Sequence, residues 1–209
     1  LIVSRGLGDV YKRQSLFNAG TVVQWLRDGL GIIENAEGVN PLAQEVENAA
    51  GVMLVPAFTG WGTPHWDPNA RGVLIGLTRD TCRGHIARAA LEGIALSVAS
   101  LVELTEQAME QKLGELAVDG GAAASDLLLQ AQADSTGLGV RRPAHLESTA
   151  RGVALLAGLQ AGAISDLKDL VPNRTKDSTM FKPKKTQDQR QRWRQRWDDA
   201  VSRSLHWNG

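Results

Sequence analysis

The sequence predicts an α/β fold in which short buried strands alternate with helices. Compact apolar runs of strand length occupy residues 51–57, 72–77 and 116–118, and residues 15–33, 85–112 and 125–136 carry apolar residues every three or four positions. A glycine pair, Gly120 and Gly121, ends the third run directly before a helical pattern. The 209 residues are 43% hydrophobic with no net formal charge, which is typical of one globular domain or a large part of one.

The first fourteen residues differ from the rest of the chain, since they show no hydrophobic period and no initiator methionine. They resemble the translated adapter sequence that is found at broken ends of assembled sequence fragments. We therefore expect residues 1–14 to be a non-native leader and exclude them from the fold prediction. The alternative is a genuine internal segment.

The first helix is predicted over residues 15–33, where apolar residues recur at three- and four-residue steps and Gly29 and Gly31 lie near the end. The polar stretch 34–49 follows as a second short helix and a loop. In that stretch Leu42 is expected to be buried, as is Val46.

The strands at 51–57 and 72–77 flank a loop, residues 58–68, that is rich in glycine, proline and aromatic residues. Two tryptophans within eleven residues indicate a shaped loop, because flexible linkers are poor in such residues. Its aromatic faces and Asp67 could form a substrate cradle, but a structural role is favoured. An aspartate before a proline suits a turn, and Asp67 could also pair with Arg71.

The longest helix is predicted over residues 85–112, where small residues share one face and would allow close packing on a sheet. The next elements are a helix, a strand and a helix at residues 125–136, 139–142 and 148–161. Ser148 or Thr149 is a plausible N-cap of the last of these.

A final helix is predicted from Thr186. Four apolar residues follow each other at four-residue spacing and form a docking face: Trp193, Trp197, Val201 and Leu205. The basic side chains of this tail are interpreted as a solvated helix face rather than a nucleic-acid surface.

Composition excludes several classes of partner. The zero net charge predicts neither a nucleic acid nor a membrane as partner, and we see no apolar run of transmembrane length. Cys82 is the single cysteine of the sequence, so no disulfide forms within the chain, which fits a reducing cytosol. No histidine, cysteine or carboxylate cluster has metal-ligand spacing, and we predict no metal-binding side chain.

The glycine pair is the strongest candidate site. Gly120 and Gly121 carry no Cβ, so a flat or anionic ligand could lie against bare backbone there. A helix amino terminus just beyond would add free N–H groups. A nucleotide is the obvious ligand, and an ordinary turn is the alternative. Asp119 is expected to shape the turn or to touch a ribose.

Several stretches in order resemble the carboxy-terminal half of the FGGY carbohydrate kinases, and among them the glycerol-phosphorylating members. They are residues 18–28, 56–72, 74–78, 85–92 and 118–121. The likeness runs from about residue 15 to about residue 205. It implies an actin-like, ribonuclease-H-like fold, and an incomplete C-terminal domain of a two-domain kinase that closes on ATP. Residues 15–172 would be this nucleotide-binding domain, and 173–209 a linker and docking helix.

The resemblance also implies which residues contact the nucleotide. They are Gly20 and Gln24 in the first helix, and Gly121, next to Gly120, and Ser125 at the glycine turn. Gln24 offers one acceptor and two donors to a ribose or base. Glycerol-phosphorylating members typically have asparagine in place of Ser125, so this contact is expected to be weaker or different. Without the family, Gln24 would be an ordinary exposed helix residue and Ser125 an N-cap.

The resemblance further implies transfer of phosphate from ATP to a terminal hydroxyl of glycerol, with magnesium carried by the nucleotide. The family's catalytic base is an aspartate between the two halves, before the matched segment, so no catalytic residue is predicted in this chain. The glycerol pocket lies in the first half. The chain alone is therefore expected to be inactive, and poorly soluble or self-associating because an edge and an apolar face would be open.

The resemblance also implies a cytoplasmic homo-oligomer at full length. Two alternatives remain, another kinase of the family such as a xylulose-type enzyme, and a non-catalytic actin-like nucleotide-binding module.

Overall fold

The computed structural model describes residues 2–3, 12–13, 19–166 and 178–207. The helices are α1 (Gly20–Gln24), α2 (Val39–Gln44), α3 (Arg83–Met109), α4 (Asp126–Thr136), α5 (Ser148–Gln160) and α6 (Gln187–Ser202). The strands are β1 (Ile2–Val3), β2 (Lys12–Arg13), β3 (Met53–Val55), β4 (Val73–Ile75), β5 (Glu115–Ala117), β6 (Gly139–Pro143) and β7 (Ser178–Phe181). Most of the expected leader and the predicted helical residues 15–18 lie outside the described residues.

The first helix ends earlier than predicted. A π-helical segment, Trp25–Gly29, continues α1, and its wider turn is seen in the 3.0 Å bond from the Leu30 amide to the Trp25 carbonyl. Gly31 then adopts a φ of +62°, a conformation that stops a helix and that glycine adopts without steric strain. The glycines near the end of the predicted helix thus mark its end, and residues 30–33 are not helical.

The described residues form three sheets: β1 pairs with β2 in a two-stranded sheet near the start of the chain, and the other two carry the domain. β3 and β4 pair antiparallel, with Leu54 opposite Leu74. In the other sheet β6 lies between β5, its parallel neighbour, and β7, its antiparallel neighbour. The parallel pair confirms the alternating α/β prediction. β7 was not predicted, because its four residues give too short an alternation to stand out from the surrounding tail.

The long helix α3 lies very close to β3. A Cβ on Gly93 would stand 2.2 Å from the carbonyl oxygen of Leu54, so the helix touches the strand where it has no side chain. Ala89 and Ala90 are buried in the same core, which confirms the predicted small-residue face. By length and composition α3 could cross a membrane, but 67% of its most apolar window is buried, as in the core helix of a folded domain.

The C-terminal helix α6 docks through the predicted face. Trp197 and Val201 are buried in a cluster with Met53, Val55 and Trp61. The Trp197 indole donates a hydrogen bond to the Ser100 hydroxyl at 3.2 Å. α6 therefore covers the β3–β4 sheet and the aromatic loop, and the docking prediction is confirmed.

Helix α5 differs from its prediction. Its N-cap position is Glu147, and no side chain caps it, so the prediction of Ser148 or Thr149 as the cap is wrong. No residue of α5 is buried, and Val153 and Leu156 are 65% and 60% exposed. The apolar pattern correctly predicts the helix, but its apolar face is open.

Candidate functional site

The glycine turn follows β5 and is held by backbone bonds. Gly120 has a φ of +80°, so this position needs the conformational freedom of glycine. Its amide donates to the Leu146 carbonyl at 2.7 Å, and the Val118 amide donates to Arg141 at 3.0 Å. The turn is thus tied to β6 and to the loop that follows β6.

A short 3₁₀ turn, Gly121–Ala124, separates the glycine pair from α4. The predicted order of strand, glycine turn and helix is therefore correct, but α4 begins at Asp126 rather than directly after the glycines. A Cβ placed on Gly121 would meet no atom within 4 Å, and its φ is not positive. The fold of this chain therefore does not itself require glycine at position 121.

Gly20, at the start of α1, shows the same combination of open space and ordinary φ. Gln24, one turn later, is exposed. These two predicted residues and the glycine turn lie on different segments, and α1 shares one hydrophobic core with α4, the helix that follows the turn. Residues of α1, of the π-helical segment that continues it, and of α2 and α4 meet in that core: Val22, Leu26, Leu42, Ala43 and Leu128.

Ser125 is the N-cap of α4, and its hydroxyl accepts the Leu128 amide at 3.1 Å. The same hydroxyl donates to the Oδ1 of Asn40 at 2.5 Å, and Ser125 is only 6% exposed. Its proton is thus committed inside the protein. The interpretation as an N-cap is confirmed, and the hydroxyl has little left to offer a ligand.

Arg142, a residue of β6, holds the turn in place by hydrogen bonds. Its Nη1 donates to the Ala123 carbonyl at 3.1 Å and to the Asp126 carboxylate at 2.6 Å. The guanidinium also lies 5.1 Å from the centre of the Phe181 ring, in cation–π range. Sequence reasoning missed both Arg142 and Asn40, because their partners are 16 to 85 residues away and no local pattern marks them.

Asp119 does not hold the turn by its side chain. The residue is exposed, and within the described part of the chain its carboxylate makes no hydrogen bond. The Gly120 backbone makes the turn without it. Contact between Asp119 and a ribose stays a prediction.

The aromatic loop has the predicted structural role. Asp67 is buried, and its carboxylate accepts the amides of Asn69 at 2.8 Å and His206 at 2.7 Å. These backbone donors, His206 first, lower the pKa of Asp67 below its ordinary value. Arg71 donates to the carbonyls of Pro68 and Ala70. The Asp67 carboxylate thus has a structural role, because it joins the loop to the backbone at His206.

A groove of about 240 Å³ lies between this loop, α3 and α6. Its walls include Trp61, His65, Trp197 and Asp198. Burial lowers the pKa of His65 and raises the pKa of Asp198. None of the five predicted nucleotide contacts lines the groove, so it is separate from the candidate site.

Among the residues that the structure describes, no group of three or more histidine, cysteine or acidic side chains could hold a metal ion.

Comparison with known proteins decides the family. Residues 5–161 match the model for the FGGY family of carbohydrate kinases, C-terminal domain. The chain belongs to this family. As an FGGY kinase domain, it is 51% identical over 193 residues to the glycerol kinase of Aromatoleum aromaticum, which covers 92% of this chain and 39% of that protein. It thus spans well under half the length of the curated relatives it matches.

Solved structures give the same assignment for the fold. The FGGY domain matches the Plasmodium falciparum glycerol kinase structure with ADP at a TM-score of 0.79 and 31% identity, over 90% of this chain and 37% of that one. The ligand-bound xylulose kinase of Lactobacillus acidophilus matches at 0.66 and 23% identity, over 88% and 37% of the two chains. The second likeness supports the fold alone. Together these matches confirm the actin-like kinase fold expected from the sequence.

Proposed function

We propose that this chain is the nucleotide-binding part of an ATP-dependent glycerol kinase. The observation that carries the proposal is the glycine turn after β5, in a chain about half identical to glycerol kinases. Gly20 and Gly121 border open space at ordinary φ values, so neither glycine is needed by the chain's own packing. Close approach of a ligand to the backbone explains both.

The residues of this chain bind and orient the nucleotide in this proposal. Bare backbone at Gly120 and Gly121 admits the adenosine, and Gln24 donates or accepts at the ribose or base. Magnesium arrives with the phosphates of the nucleotide, as in phosphoryl transfer generally. The base that takes the proton from glycerol, and the glycerol pocket, would be supplied by the remainder of the enzyme.

Glycerol is favoured over other polyols as the acceptor. The glycerol kinase of A. aromaticum is 51% identical to this chain, whereas the xylulose kinase of L. acidophilus is 23% identical. A non-catalytic nucleotide module has no specific observation in its favour. We include in the proposal a cytoplasmic, homo-oligomeric enzyme that needs neither nucleic acid nor membrane.

Two measurements test the proposal. Isothermal titration of the 209-residue chain with Mg·ADP is expected to show one site. The full-length protein that contains this chain is expected to phosphorylate glycerol much faster than xylulose or gluconate. A full-length protein that prefers xylulose would replace the substrate assignment, and one that binds ADP but phosphorylates none of the three would favour the non-catalytic module.

A further inference from the structure

The side-chain amide of Asn40 is held in one orientation by a residue far away in sequence. Asn40 is the second residue of α2, and its Oδ1 accepts the hydroxyl proton of Ser125 at 2.5 Å, across 85 residues. Ser125 is itself fixed, because it is buried and accepts the Leu128 amide at 3.1 Å. The bond therefore joins α2 to the N-cap of α4.

The other end of this amide is unused. Asn40 is half-buried, and within the described residues its Nδ2 has no hydrogen-bond partner. An amide nitrogen carries two donors and no acceptor. The Ser125 hydroxyl thus orients the Asn40 amide, whose nitrogen keeps two free donors. This amide lies next to the glycine turn that the proposed function assigns to the nucleotide.

We propose that Asn40, and not Ser125, donates the side-chain hydrogen bond to the nucleotide base at this end of the site. This inference rests on the proposed function. The ligand chemistry it fits is a purine ring nitrogen, which accepts a hydrogen bond in the plane of the base. Ser125 is then a positioning residue that fixes the amide before the ligand arrives, which lowers the entropy lost on binding.

The sharpest variant is Asn40→Asp. Aspartate keeps an oxygen to accept the Ser125 proton but has no N–H, so it removes the proposed contact with little change of shape. The matched control is Gln44→Glu, which makes the same amide-to-carboxylate change on an exposed residue at the end of the same helix. Asn40→Ala serves as an uncharged second variant.

ADP affinity is measured by calorimetry on the 209-residue chain. We expect a loss of at least tenfold for Asn40→Asp, because a carboxylate also repels a ring nitrogen's lone pair. We expect about three- to tenfold for Asn40→Ala, the range of one neutral hydrogen bond, and less than twofold for Gln44→Glu. Thermal unfolding reports whether each variant keeps its fold.

The inference is overturned if the wild-type chain binds ADP and both Asn40 variants bind ADP with the same affinity as the wild type. The proposed function would then stand without this residue. A wild-type chain that binds no ADP would overturn the proposed nucleotide site itself, and this inference with it. If a variant unfolds, the test is the Asn40 side-chain NH₂ signal in a ¹⁵N spectrum of the wild-type chain. The inference requires ADP to shift this signal, and an unshifted signal in a chain that binds ADP overturns it.

Discussion

At the scale of single residues, the two glycines of the turn do different work. Gly120 has a positive φ, which side chains rarely adopt, whereas Gly121 has an ordinary φ and open space around its Cβ position. A side chain at 120 would strain the fold. A side chain at 121 would leave the fold intact and project into the space assigned to the nucleotide. The sequence pattern alone gave both glycines the same role.

Gly121→Val is therefore expected to separate binding from folding. We expect the ADP dissociation constant of the chain to rise at least tenfold, and the KM for ATP of the full-length enzyme to rise similarly, with the KM for glycerol nearly constant. The melting temperature is expected to stay within a few degrees. Calorimetry and thermal unfolding measure the two effects. Unchanged ADP affinity would remove Gly121 from the site.

Asp67 gives a pH-dependent prediction. Its pKa is lowered in the folded chain, first by the His206 amide, so its charged form stabilises the fold above the ordinary aspartate pKa near 3.9. That stability is lost as the pH falls through the lowered folded pKa. Asp67→Asn is expected to lower the melting temperature at pH 7, and the difference from wild type is expected to shrink at pH 3.

The matched control for Asp67 is Asp80→Asn, on an exposed loop aspartate. Calorimetric melts at pH 7 and pH 3 compare the three proteins. If Asp67→Asn lowers the melting temperature equally at both pH values, the carboxylate charge is not what holds the loop to the C-terminal residues.

At the scale of elements, α3 shows how closely the helix and the sheet are matched. Gly93 faces the Leu54 carbonyl with no room for a Cβ, whereas Gly152 in α5 has open space. Helix propensity favours alanine over glycine at both positions by about 1 kcal/mol. Packing opposes a change to alanine at Gly93 but not at Gly152.

We expect Gly93→Ala to destabilise the chain by about 1–3 kcal/mol, as overpacking a core does, because the helix must move away from β3. Gly152→Ala is the control and is expected to stabilise the chain by about 0.5–1 kcal/mol. Urea unfolding measures both free energies. A stabilised Gly93→Ala variant would mean that α3 does not lie against β3 as described.

Helices with a strong apolar period could be predicted from the sequence, and so could the strands that end in glycine or proline. α3, α4 and α6 lie close to their predicted bounds. β7 could not be predicted, since it forms by pairing with β6 at Val140↔Phe181, and such a pairing leaves no local pattern. Within the site the glycines were visible as a motif, but the Ser125–Asn40 bond depends on how α2 and α4 meet.

At the scale of the whole molecule, the open apolar face of α5 is an exposed patch on the described surface. Val153, Leu156 and Leu159 are all exposed on this helix, although the period that predicted it is that of a core helix. Exposed apolar patches on helices promote association in water. The apolar face of α5 is therefore the surface through which we expect the chain to self-associate.

We expect the chain to self-associate with rising concentration, and the double variant Val153→Ser with Leu156→Gln to shift it towards monomer. Each side chain contributes through the apolar area it buries, at about 25 cal/mol per Å². Sedimentation velocity over a hundredfold range of concentration measures the shift, with Gln160→Ser on the same helix as the control. Because these side chains face solvent, the variant should fold as well as wild type. An association constant that the double variant leaves unchanged would place the contact on another surface.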